Sequence, residues 1–89
     1  MREQINSIIN QTAARYNVRA EDLLGKSRRG YISAARQEAM YLVHSQFPGL
    51  SYESVAATFN RRQHGTVLFA IEEHKKRAVK VMTAAHLGI

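Results

Sequence analysis

The stretch LSYESVAATFNRRQHGTVLFAI, residues 50–71, decides the fold. Ser51 is suited to cap a helix, Val55, Ala56 and Phe59 fall on one side of YESVAATF, and Asn60 suits the left-handed conformation in which helices end. A tight turn at Asn60-Arg61-Arg62 follows. Val67, Ala70, Ile71, His74 and Ala78 then recur at i, i+3, i+4, i+7 and i+11, the stripe of a second, longer helix. A short helix, a turn of about three residues and a longer helix make the pattern of a helix-turn-helix. The same pattern fits an αα-corner with no partner, so the deciding point is what the second helix exposes at its start.

Arg61, Arg62, Gln63, His64, Gly65 and Thr66 crowd that start. Arginine forks grip phosphate, glutamine can pair with adenine through two hydrogen bonds, and the threonine methyl can touch that of thymine. A merely solvated helix start would carry Asp or Glu to complement the helix dipole. Two arginines and no acid there destabilise the free protein, and an incoming phosphate offsets this by meeting both the free N–H groups and the guanidinium groups.

Upstream, Ile5, Ile8, Ile9, Thr12, Ala13 and Tyr16 trace an amphipathic helix of about four turns that ends near Asn17. VRAEDLLG, residues 18–25, reads as one short helical turn with a glycine C-cap, and its Leu23 and Leu24 should enter the core. KSRRGYIS, residues 26–33, is basic, polar and without apolar period, and reads as an ordered surface loop with Ser33 as the next N-cap. Ala35, Ala39, Leu42, Val43 and Phe47 give a helix of about 14 residues, stopped by Pro48-Gly49. The tail, residues 79–89, either extends the last helix or frays.

Of 89 residues, 45% are hydrophobic, which implies a single small domain with one tight core and no room for a deep catalytic cleft. The net charge of +6 is concentrated in two blocks. Residues 25–36 hold Lys26, Arg28, Arg29 and Arg36 with no acid, and residues 61–80 carry +4 net. Such blocks are either solvated segments or the footprint of a polyanion partner. Cysteine is absent, which excludes disulfides and thiolate zinc sites. No apolar run approaches the roughly 18 residues of a membrane span, and MREQINSIINQ lacks the apolar block of a signal peptide. A cytoplasmic protein without a membrane partner is expected.

Gly25-Lys26-Ser27 raises the question of nucleotide binding, but a P-loop needs another glycine five positions earlier, where this chain has Ala20. The acids of VRAEDLL would also repel a triphosphate. No nucleophile elbow or carboxylate pair is present, and His44, His64, His74 and His86 are spread without metal-ligand spacing. His74 on an apolar face reads as a packed core residue. No enzyme activity, metal, cofactor or small-molecule substrate is expected.

Taken in order, YNVRAEDLLGKSRR, ISAARQEAMYLV and SVAATFNRRQHGTVLFAI make the chain resemble the C-terminal DNA-binding domain of the bacterial replication initiator DnaA, over roughly residues 5–78. The resemblance implies an all-α fold, a small helical domain of the Trp-repressor and DnaA C-terminal kind. It implies double-stranded DNA as partner, with the second helix of the motif in the major groove. Arg62, Gln63, His64 and Thr66 would lie at the start of that helix. The basic loop of Lys26, Ser27, Arg28 and Arg29 would contact DNA, with Arg28 or Arg29 in the minor groove, and Ser51, Tyr52 and Glu53 would lie against the backbone. It also implies one asymmetric site bound by a monomer rather than a homodimer.

The family's Asp-His-Thr-Thr-Val stands here as Gln63-His64-Gly65-Thr66-Val67, so the family's target site does not carry over. The initiator's ATPase domain has no counterpart in these residues. Residues 1–89 are thus expected to form one DNA-binding domain that prefers certain sequences and regulates replication or transcription without ATPase activity. Lys26, Arg28, Arg29, Arg61 and Arg62 would neutralise about five phosphates. The alternative is a protein-interaction module that kept the fold and lost DNA binding.

Overall fold

The computed structural model describes residues 1–27 and 29–87, the last eight of these by backbone alone. Among them run five helices and no strand: α1 (Arg2–Arg15), α2 (Ala20–Leu24), α3 (Gly30–Gln46), α4 (Tyr52–Thr58) and α5 (His64–Leu87). The fold is all-α, as the apolar periods required. The tail is helical as far as Leu87, and residues 88 and 89 lie outside the described residues.

The core follows from the stripes. Ile5, Ile8, Ile9, Thr12 and Ala13 of α1 are buried, and Leu23 of α2 is fully so. Val55, Ala56 and Phe59 meet Val67, Ala70 and Ile71 across the helix-turn-helix. α3 is the central element and packs on all four other helices. Leu24, Leu42 and Phe47 are only partly buried, at the margin of this core. Burial along α5 stops at Ile71 among the described side chains: His74 is half-buried, tilted against Tyr41 with ring centroids 4.7 Å apart, and Ala78 is exposed. The stripe expected to run through both leaves the core one turn early, because no other helix among the described residues covers α5 as far as Ala78.

Helix ends were legible where a side chain or a left-handed residue sets them. Ser51 caps α4 by accepting a hydrogen bond from the Ser54 amide at 3.1 Å. Asn17 and Asn60 turn the chain at φ of 57° and 58°, a region in which asparagine is tolerated better than most residues.

Two ends differ from expectation. α3 is 17 residues long and begins at Gly30, so Ser33 is not its cap; the Ser33 amide is already in the helix, donating to the Arg29 carbonyl at 2.8 Å. The extra turn forms because Ile32 is buried one turn ahead of Ala35 and Arg36. Gly25 does end α2, but in an extended conformation (φ −88°, ψ −165°) rather than a left-handed one. The carbonyls that a left-handed cap would satisfy take side-chain donors instead.

Candidate nucleic-acid interface

The end of α2 leaves a run of carbonyls with no helical partner. Three side chains from elsewhere in the chain supply the donors. Arg36 of α3 donates from Nη2 to Asp22 O (2.9 Å), from Nε to Leu23 O (2.7 Å) and from Nη1 to Ser27 O (3.1 Å). Asn60 Nδ2 donates to Leu24 O (3.2 Å), and Arg61 Nη2 to Gly25 O (2.7 Å). Arg61 also donates from Nη1 to the Phe59 carbonyl at 3.0 Å. Together these bonds fix the basic loop against both α3 and the turn of the helix-turn-helix.

Arg36 is only 8% exposed, and burial first, then the charge of Arg61, lowers its pKa from the usual value. A guanidinium still keeps its proton at any working pH. Arg36 was counted in the sequence as part of a basic surface block, yet it serves the loop from inside. The signal was available: position 36 lies one turn before Ala39 and Met40 and two before Val43, on the buried stripe of α3.

The bracing brings two regions of the sequence into one cleft of about 360 Å³, lined by Lys26, Ser27, Arg36, Asn60, Arg61 and Arg62. Among the described residues no carboxylate lines it. Arg62 is exposed and Arg61 half-buried. Arg29 is exposed at the N-cap position of α3, its amide donating to Ser27 Oγ at 3.4 Å. Arg28 lies outside the described residues.

On another face of the motif, Ser51, Tyr52 and Glu53 share a shallow recess of about 300 Å³ with His64. The start of α4 is thereby adjacent to the start of α5. Tyr52 stacks on His44 with centroids 5.0 Å apart, and the Ser51 hydroxyl is engaged by Ser54. Gln63 immediately precedes α5, His64 opens it, and Gln63, His64 and Gly65 are all exposed. Thr66 is half-buried in a small groove with Ser33, Arg36, Gln37, Arg61 and Phe69, and is the least exposed of residues 63–66. The first turn of α5 carries no acid.

Among the described residues no group of three His, Asp or Glu is placed to hold a metal, and no helix is long and apolar enough to cross a membrane.

A short helix, a turn and a long helix with a cationic, acid-free start, braced to a basic loop, define a helix-turn-helix protein. The comparisons narrow this: residues 5–73 match the family of the bacterial DnaA protein helix-turn-helix, and the chain belongs to that family. It is similar to the chromosomal replication initiator protein DnaA of Clavibacter sepedonicus, 41% identical over 63 residues, which is 71% of this chain and 13% of that protein. The DnaA of Crocosphaera subtropica is 42% identical over 69 residues, 78% of this chain and 15% of that protein. That of Cutibacterium acnes is 40% identical over 72 residues, 81% of this chain and 14% of that protein. The chain thus spans 13 to 15% of the length of these relatives. No solved structure matches it significantly.

Proposed function

We propose that this chain binds duplex DNA with sequence preference, without itself catalysing a reaction, and serves in the initiation of replication or in regulating transcription. The observation that carries the reading is the acid-free cleft between the basic loop and the helix-turn-helix turn. A DNA backbone strand separates major from minor groove. A protein that reads both grooves needs cations where that strand passes, and Lys26 and Arg62 stand there.

On this reading α5 enters the major groove by its start. Gln63 and His64 face base edges, and Gly65 leaves space where another side chain would reach. Lys26, Ser27 and Arg28 or Arg29 follow the minor-groove side, and Ser51, Tyr52 and Glu53 approach the backbone from the far side. A lone chain on one asymmetric site in the cytoplasm fits this arrangement.

Because the Arg61 guanidinium is already engaged by two carbonyls, four cations (Lys26, Arg28, Arg29 and Arg62) remain to meet phosphates. At about −0.9 per phosphate, log affinity against log salt concentration should fall with a slope near −3.6. The test is selection of binding sites from random duplex DNA, followed by a salt titration on the selected site. No enriched sequence, together with a slope shallower than about −1.5, would refute the reading and favour a protein partner for the same fold.

A further inference from the structure

Arg61 stands at the turn of a helix-turn-helix, where a guanidinium is most readily taken for a phosphate ligand. Its bonds point inward. Nη1 caps the Phe59 carbonyl at the end of α4, and Nη2 reaches Gly25 O, 36 residues away in sequence. Asn60, whose left-handed backbone makes the turn, spends its side-chain amide on Leu24 O, also 36 residues away. Adjacent residues of the turn thus hold adjacent carbonyls at the root of the basic loop. A bond of 2.7 Å between a charged donor and a carbonyl is among the stronger that a half-buried site offers.

We propose that Asn60 and Arg61 are positioning residues that brace the basic loop to the helix-turn-helix turn, fixing the spacing between the DNA flank met by the loop and the core met by α5. This rests on the DNA-binding reading above. A rigid pair of readers accepts one spacing. One inserted base pair displaces the flank by about 3.4 Å and rotates it by about a tenth of a turn, more than hydrogen bonds of this length can follow. Readers joined by a free loop would tolerate the insertion.

The test uses the whole chain and the duplex selected from a random pool. Its flank is mapped as the base pairs whose replacement ceases to matter in Lys26→Ala/Arg29→Ala. One base pair is then inserted between flank and core. The wild-type chain should lose about 10- to 100-fold in affinity, as it does when the flank is scrambled. The variant Asn60→Gly/Arg61→Leu keeps the turn conformation and the apolar stem while removing the donors. It should lose less than about threefold on insertion and keep the wild-type salt slope, and its Lys26 and Ser27 amides should exchange faster in the free protein. Asn60→Gly alone, with Arg61 intact, should shift the spacing response in the same direction by less, which keeps the test open if the double variant does not fold.

Equal insertion losses in variant and wild type, or a salt slope shallower by about 0.9, would overturn the brace; the second result would make Arg61 a phosphate ligand. A wild-type chain that binds its core but ignores spacing would also overturn it, while leaving the DNA-binding reading intact. Failure of the wild-type chain to bind any duplex would overturn both.

Discussion

Replacing Arg36 with methionine tests whether the loop is held from inside the protein. The substitution keeps an unbranched apolar stem and removes three hydrogen bonds. The bond to Leu23 O is buried, and those to Asp22 O and Ser27 O are part-buried. A hydrogen bond from a charged group contributes about 1.5–3 kcal/mol when shielded; with two of the three partly solvated, about 3–5 kcal/mol in total is reasonable. Against this, methionine removes the desolvation of a guanidinium that has no carboxylate partner in these bonds, which returns about 1–2 kcal/mol. The net loss is about 1–4 kcal/mol, centred near 2.5 kcal/mol. For a domain of this size that lowers Tm by about 10–20 °C. Thermal unfolding followed by circular dichroism reads this directly. Arg36→Lys, which keeps the buried charge but can reach only one carbonyl, should lose about as much, because two bonds go and the desolvation of the charge stays. A Tm within about 3 °C of wild type for Arg36→Met would refute the reasoning, because desolvation would then cancel the three bonds.

Gly65→Ala should raise stability by about 0.5–1 kcal/mol, since a Cβ there meets nothing within 4 Å and the residue lies in the first turn of α5; an unchanged or lowered urea midpoint would contradict this. Gln63→Asp should move base preference at one position from adenine toward cytosine, by roughly 1–3 kcal/mol of discrimination, because a carboxylate only accepts hydrogen bonds; duplexes varied at every position would reveal an unchanged preference if Gln63 reads no base. Alkaline pH should destabilise the fold through Tyr16, whose phenol donates to Glu38 Oε1 at 3.2 Å and whose pKa is raised above 10.0 by burial and then by the Glu38 charge. A raised native pKa means that stability is fully present below the unfolded value near 10 and is lost as pH rises through the native one. Tyr16→Phe should flatten that loss in urea titrations at pH 9 to 11, and an unchanged slope would exclude Tyr16 as its source.

Periodicity made the helices legible because each apolar stripe faces one shared core: five of the six stripe positions named in α1 are buried, and Asn60 turns the chain as its residue type implied. What periodicity could not reveal was polar work done inside. Arg36 counts as surface charge in any composition, and only its place on the stripe of Ile32, Ala39 and Val43 marks it as inward. The early start of α3 was hidden because Gly30 and Tyr31 are weak helix formers, held helical by the burial of Ile32 behind them. At the candidate interface, residue types told which side chains suit DNA. The joining of loop to turn depends on contacts 36 residues apart, which no local pattern carries.

That separation also sets an order in time. As the chain leaves the ribosome, residues 1–25 emerge first, but the Leu24 and Gly25 carbonyls wait for Asn60 and Arg61 to be synthesised. Until then the basic segment has only Arg36 to hold it, through the Ser27 carbonyl, and without its tie to the turn it is a cationic strand able to attract any polyanion, nascent messenger included. Completion of the turn at residues 60 and 61 converts general attraction into a fixed surface. On the proposed DNA-binding reading, selectivity is therefore a late product of the chain's own folding.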